Sequence, residues 1–282
     1  MKYTFKCNVC GSDSGEKLLT IQIADRFEIA YGISSDQYTR YWCRCDQCGC
    51  AVNIMSPESK NVVESVASSY YEIDLGSLDK LQSRYEFVMN LPENESDNAG
   101  RVDRILEYLK KHYGDTDLIE LCDVGSGLGI FPAKLLQQTE TYEILNVNVT
   151  AIEPDPVSFE FSKRLELFSV IKGYFPEAIG SKSFHVITLN KVLEHIEKPI
   201  ELMKQVASRL KTGGVAYVEV PCISNIQFKT PDDNSLGVLH YNLYDISSLS
   251  ALLNDVGLTN ILCERIIEPS GKITVYSFAI RL

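Results

Sequence analysis

Two groups of residues in this chain are spaced to do chemistry. The first is a pair of Cys-x-x-Cys-Gly units, Cys7 to Gly11 and Cys45 to Gly49. A two-residue spacer lets both thiolates of a unit point at one tetrahedral centre, and the glycine permits the tight turn around it. Together Cys7, Cys10, Cys45 and Cys48 make a four-thiolate site, for which zinc is the default ion. With no coordination position left open, that metal is expected to be structural. Cys43 and Cys50 flank the second unit but lack its spacing and its glycine. An iron–sulfur cluster would accept the same thiolates, and a disulfide framework would need an oxidising compartment. The second group is the loop from Asp123 to Gly129, in which Gly125, Gly127 and Gly129 alternate with Ser126 and Leu128 behind an acid.

Such glycines let a backbone approach a ligand closely. A dinucleotide fingerprint would need glycine at position 130, which is isoleucine, and a phosphate loop would need a Lys followed by Ser or Thr. Asp123 would repel a diphosphate but suits the cationic amino group of a methionine moiety. Glu153, in Ala151-Ile152-Glu153-Pro154-Asp155, ends the next strand-like stretch. A carboxylate there can accept hydrogen bonds from both hydroxyls of a ribose. Loop, acid and strand order together point to S-adenosylmethionine.

These residues need elements to hold them. From Leu118 onward, near-continuous apolar stretches (118–124, 148–153, 169–172, 184–190 and 214–220) alternate with helical patterns (130–138, 156–166, 199–211 and 245–257). That alternation predicts a parallel sheet covered on both faces. Two last strands, 258–266 and 273–281, have no helix between them and can form an antiparallel hairpin at the sheet edge. Residues 1–57 read as a small zinc-binding module and 58–115 as a helical connector or lid, with a helix from Arg101 closing at Gly114. Residues 116–282 read as the cofactor domain.

A net charge of −11 disfavours nucleic acid and anionic membrane as partners, leaving a small molecule as the expected one. No apolar run approaches the roughly 18 residues of a membrane span, and the first residues lack the apolar core of a signal peptide, so a cytoplasmic chain is expected.

The segments 123–129, 151–156, 184–199 and 210–221 resemble those of the Rossmann-like S-adenosylmethionine-dependent methyltransferases. With its cysteine units, the whole chain is similar to bacterial methyltransferases that carry an N-terminal zinc-binding domain, among them enzymes of sugar-nucleotide, surface-polysaccharide and antibiotic-sugar pathways. The resemblance implies a seven-stranded, mostly parallel α/β sheet. It also implies that Asp123, Gly125, Ser126, Gly127 and Gly129 line the methionine part of the cofactor. Glu153 would hold the ribose, with Pro154 and Asp155 beside the adenine. Tyr174 and Phe175 would flank the adenine ring, and Asn190 would face cofactor or substrate.

Methyl transfer needs alignment, plus a base where the acceptor must lose a proton. His195 and His240 follow the fourth and fifth strands and border the expected site, with His240 the first candidate base and His195 the second. His112 and His185 read as a solvated and a structural histidine. In the sugar C-methyltransferases a Glu-His pair stands at the position of His240, followed by an aromatic residue and a Ser; here His240 and Tyr244 match, while Leu239 and Asp245 depart. The departure favours a sugar hydroxyl over a carbon as acceptor. Two other readings stand beside this one: a non-catalytic cofactor-binding scaffold, and an RNA methyltransferase. The second is opposed by the acidic balance and by Leu189-Asn190-Lys191-Val192 standing where an Asn/Asp-Pro-Pro-Tyr/Phe motif would fall.

Overall fold

The computed structural model describes residues 5–36, 38–66, 78–113, 118–144 and 146–282. Part of the expected connector, residues 67–77, and the expected helix end at Gly114 lie outside the described residues.

A front sheet is built from β1 (Gly15–Ile21), β2 (Arg40–Cys45) and β3 (Ala51–Ile54), all antiparallel. The main sheet contains β4 (Ile119–Val124), β5 (Val147–Glu153), β6 (Ser169–Lys172), β7 (Phe184–Asn190) and β8 (Leu210–Pro221). These five run parallel, β4 pairing with β5 on one side and β7 on the other. The strand order therefore reverses at β4, and a ligand crevice is expected beyond its carboxyl end. A two-residue strand, β9 (Asn242–Leu243), leaves this domain to pair with β3 and becomes the fourth strand of the front sheet. The two sheets thus share a core: Cys7, Cys45 and Val52 cluster with Leu189, Val218 and Tyr244.

The hairpin expected at the edge is β10 (Thr259–Ile267) and β11 (Ile273–Ile280), giving the order β10-β11-β8-β7-β4-β5-β6. β11 pairs antiparallel with β8 and is buried along nearly its whole length, whereas β10 is the open edge. Charged Glu264 and Arg265 on that edge discourage pairing with another chain.

The helix Asp97–Tyr113 begins earlier than the expected Arg101, because the Ser96 hydroxyl accepts a hydrogen bond from the Ala99 N–H and caps it. Its apolar stripe, Val102, Ile105, Leu106 and Leu109, packs on Leu121, Tyr217 and Phe278. Burying each such side chain is worth about 1.5–3 kcal/mol. The helix expected over 199–211 stops at Arg209. A Cβ on Gly214 would lie 2.8 Å from the Lys211 carbonyl, and Gly213 sits at φ +77°, so the chain turns too tightly there for a helix.

Candidate functional site

A cleft of about 1950 Å³ opens at the carboxyl ends of the main strands and extends beneath the front module. That volume exceeds the roughly 300–1,000 Å³ of a single-ligand pocket, so it has room for a cofactor and an acceptor together. At its floor, Gly125, Gly127 and Gly129 all take positive φ (+67°, +54° and +72°). A Cβ on Gly125 would meet Val192 Cγ2 at 2.8 Å, and one on Gly129 would meet the Phe168 ring at 2.7 Å. Glycine is required at both positions by conformation and by contact. The Gly125 and Ser126 N–H groups bond to the Ile152 carbonyl, tying the loop to β5.

Glu153 closes β5. Its Oε2 accepts from the Gly127 N–H at 2.6 Å and its Oε1 from the Asp155 N–H at 2.7 Å. Each oxygen keeps a second lone pair for a ligand hydroxyl. Burial pushes this carboxyl up to about 7, against the pull of the two N–H groups. Asp155 spends Oδ1 on capping the helix Pro156–Lys163 through the Ser158 N–H, while its buried Oδ2 has no partner among the described residues. Asp123 lies under the loop with Oδ1 accepting from Thr188 Oγ1 at 2.6 Å and Asn190 Nδ2 at 3.0 Å. Burial raises its carboxyl to about 6. Asn190 Oδ1 is likewise buried and unpartnered. The cleft therefore presents bare acceptors where an amine or hydroxyl donor would satisfy them. Pro154 and Tyr174 line the cleft, Tyr174 61% exposed at its rim, and Phe175 is anchored in the main core.

Glu219 is fully buried on β8. Arg101 Nε donates to its Oε1 at 3.1 Å, Arg104 to its Oε2 at 2.8 Å, and Lys191 Nζ stands 3.3 Å away. Burial opposes the Glu219 charge, but the Arg101 and Lys191 cations hold it well below the usual carboxylate range. Lys191 also pairs with buried Glu268 at 2.9 Å. Arg101 and Lys191 both border the cleft. Sequence reasoning missed this cluster. Its signal was Glu219 standing alone inside the apolar run 214–220.

The two candidate bases meet in the wall of the same cleft. The His195 and His240 rings lie 4.7 Å apart, edge to face. His195 Nδ1 is 2.9 Å from the Leu239 carbonyl and His240 Nδ1 is 2.8 Å from that of Ser235. A carbonyl can only accept, so both Nδ1 atoms carry the proton and both Nε2 atoms present a lone pair. Burial holds His240 down to about 3 and His195 below its usual value, which keeps both rings neutral. The other two histidines sit elsewhere: His112 stacks on Tyr108, and His185 Nδ1 accepts from the Glu120 N–H.

The front module positions this end of the site. Asn53 of β3 donates to the His240 carbonyl at 2.9 Å, and Asp25 accepts from the Val238 N–H at 2.7 Å. Asn8, inside the first cysteine unit, donates to Asn242 of β9 at 3.0 Å. The sulfurs of Cys7, Cys10, Cys45 and Cys48 all lie within 4.8 Å of one another, with Cys7–Cys48 and Cys10–Cys45 both at 3.5 Å. Four sulfurs on a tetrahedral ion at ~2.3 Å would be ~3.8 Å apart, so the quartet fits one. Cys50 stands outside it, its thiol facing the Leu243 carbonyl.

A family model described as a methyltransferase domain matches residues 92–262. The chain belongs to this family of S-adenosylmethionine-dependent methyltransferases. The methyltransferase is 28% identical over 127 residues to the ubiquinone biosynthesis O-methyltransferase of Rickettsia bellii, over 43% of its own length and 50% of the relative's. It thus spans about half the length of the curated relatives it matches first. Over 34% of its length it is also 28% identical to the mitochondrial ubiquinone biosynthesis O-methyltransferase of Schizosaccharomyces pombe, covering 35% of that protein. Its fold matches the magnesium protoporphyrin IX methyltransferase of Synechocystis PCC 6803 with bound SAH (TM-score 0.54, 13% identity, 79% of this chain and 100% of that one). It also matches the 1,6-didemethyltoxoflavin-N1-methyltransferase of Burkholderia thailandensis (TM-score 0.54, 16% identity, 86% and 95%). Among the described residues no helix is long and apolar enough to cross a membrane.

Proposed function

We propose that the enzyme methylates a hydroxyl group of a small, sugar-linked acceptor. The observation that carries this reading is that one cleft is lined both by a glycine loop with an acid and cations and by two neutral imidazoles. When bound, S-adenosylmethionine supplies a methyl group already activated on a sulfonium. Glu153 takes the ribose hydroxyls, Asp155 Oδ2 and Asn190 Oδ1 take donors of the adenine and the amino group, and Arg101 with Lys191 faces the carboxylate. Asp123 acts through Asn190, which it orients by a hydrogen bond. The acceptor lies under the front module with its hydroxyl against His240 and His195, where it loses its proton. An oxygen acceptor asks less of these imidazoles than a carbon acid would.

Arg40 edges the acceptor end with its Nε unpartnered among the described residues, and suits an anionic group such as the phosphate of a nucleotide-linked sugar. In this reading the chain divides into a zinc-binding module (1–57), a helical connector (58–115) and the methyltransferase domain (116–282). Cys7, Cys10, Cys45 and Cys48 would hold the zinc, whose part would be mechanical: the Asn8–Asn242 hydrogen bond would pass the module's rigidity to the segment that carries His240. The test is incubation with methyl-labelled S-adenosylmethionine and a panel of sugar nucleotides, free sugars and phenols, read by mass spectrometry. Label on a sugar hydroxyl supports the reading; label on phenols alone, or on carbon, contradicts the acceptor class.

A further inference from the structure

We infer that an oxyanion carried by the acceptor seats on Arg40 and, through Asn53, sets the segment that bears His240, so that the anion governs turnover as well as affinity. The inference rests on the proposed placement of the acceptor against His240.

Arg40 opens β2 and lines the cleft, yet only 1% of its surface is exposed. A guanidinium carries five N–H donors and a permanent charge. Here a single side-chain contact serves it: Nη1 donates to Asn53 Oδ1 at 3.4 Å, near the limit of a hydrogen bond. Nε and Nη2 bond to nothing among the described residues, and no carboxylate there pairs with the group. Glu28, an acid buried in the same module, spends Oε1 on the Tyr38 and Ser59 hydroxyls and Oε2 on the Asp25 N–H. A buried cation without a counter-charge is costly. Nε and Nη2 form one edge of the fork, the edge that takes two oxygens of a carboxylate or phosphate side by side. A ligand of that chemistry supplies the missing counter-charge.

Asn53 links this cation to the loop. It is 3% exposed, and it holds the segment 237–241 by three bonds. Its Nδ2 donates to the His240 carbonyl at 2.9 Å and to the Gly237 carbonyl at 3.5 Å, and its backbone N–H donates to the Tyr241 carbonyl at 2.9 Å. The side-chain amide thus turns its oxygen to Arg40 and its nitrogen to the loop. A guanidinium held only through Nη1 can pivot. With its other edge on an anion it cannot, and the Asn53 amide and the His240 carbonyl are fixed with it. An acceptor without the anion would leave His240 unset, losing kcat and not only affinity.

The test uses the full chain with zinc at its cysteines and S-adenosylhomocysteine bound, so that Arg101 and Lys191 are occupied. Inorganic phosphate and acetate are the probes, titrated at constant ionic strength against chloride. Proton–nitrogen NMR follows the Arg40 Nε–H, which burial shields from exchange with water, assigned by its loss in Arg40→Met. It should shift saturably with at least one probe, and the probe that saturates at the lower concentration names the group. The His240 ring nitrogens, assigned by His240→Ala, should shift along the same curve. In Asn53→Ala the Arg40 signal should still saturate, while His240 stays still. Arg40→Met should keep or raise the wild-type Tm, because it replaces an unpaired buried charge with an apolar chain. Of any acceptor found, the form stripped of its anion should lose about tenfold or more in kcat. An Arg40 signal indifferent to both probes, a His240 shift retained in Asn53→Ala, or an anion-free acceptor that changes KM alone overturns the inference. None of these touches hydroxyl methylation, whereas label on phenols alone would sink that reading with phosphate or acetate still seated on Arg40.

Discussion

Removing the Glu153 carboxylate should disable cofactor binding in two ways that can be measured apart. In Glu153→Ala the ribose loses both acceptors, each charge-assisted hydrogen bond being worth about 1.5–3 kcal/mol. The sum, about 3–6 kcal/mol, corresponds to a ~10²–10⁴-fold weaker Kd. The same change strands the Gly127 and Asp155 N–H groups, which Glu153 holds at 2.6 and 2.7 Å, so the loop itself loosens. Glu153→Gln keeps one acceptor oxygen but turns an NH2 toward one of those N–H donors, and should still cost at least about tenfold. Proton linkage adds a signature. Burial raises this carboxyl to about 7, so the unliganded fold holds a proton there that the unfolded chain has lost above ~4.5. That contribution to stability is complete below ~4.5 and gone once the pH rises past about 7. The ribose needs the charged form, so S-adenosylmethionine affinity should rise with pH through about 7 and binding below it should release a proton. Isothermal calorimetry in two buffers of different ionisation enthalpy reads both effects. An unchanged Kd in Glu153→Ala, or a pH-independent wild-type affinity from ~6 to ~8, would refute the assignment.

Freshly prepared, reduced protein should contain about one zinc per chain by elemental analysis, and Cys45→Ser should lose it together with acceptor turnover, because Asn8 no longer steadies Asn242. Zinc-free protein with full activity would contradict this. Arg101→Ala should weaken S-adenosylmethionine about tenfold or more while leaving methylthioadenosine, which lacks the carboxylate, unaffected; equal losses for both would point to a collapsed fold around Glu219 instead. Asn53→Ala removes the 2.9 Å bond to the His240 carbonyl and should lower acceptor kcat/KM about 3- to 10-fold with cofactor Kd unchanged. A matching drop in cofactor affinity would show that the front module supports both ends of the cleft.

The parts of the site that could be read from sequence are those written in short spacings. The glycine loop, Glu153 two residues before its helix cap, and the paired cysteine units each occupy a few consecutive positions, and the apolar runs that carry them alternate with helices. The final hairpin was legible for the same reason: two β-rich runs with no room for a helix between them. What could not be read depends on distant partners. Arg101 looks like one more charge on the solvent face of a helix, and only the fold places it on Glu219. β9 is two residues long, too short to leave a periodicity, yet it ties the front sheet to the segment bearing His240. That Glu194 is buried in the cleft wall could not be read either, because burial is invisible in a stretch as polar as Glu194-His195-Ile196-Glu197-Lys198. Asp245, which departs from the serine of the sugar C-methyltransferases, turns out to cap the helix Ile246–Asp255 with Ser248 as its reciprocal partner.

The division of the cleft into a cofactor end and an acceptor end is tested most directly by His240→Ala, assayed for turnover and for equilibrium S-adenosylmethionine binding in the same preparation. Turnover should fall roughly 100-fold or more, the usual contribution of a positioned group that handles the acceptor proton. The Kd for S-adenosylmethionine should stay within about twofold of the wild type, since the His240 ring bonds to the Ser235 carbonyl and not to Glu153 or the glycine loop. Full turnover in the variant, or a loss of binding as large as the loss of turnover, would contradict the division.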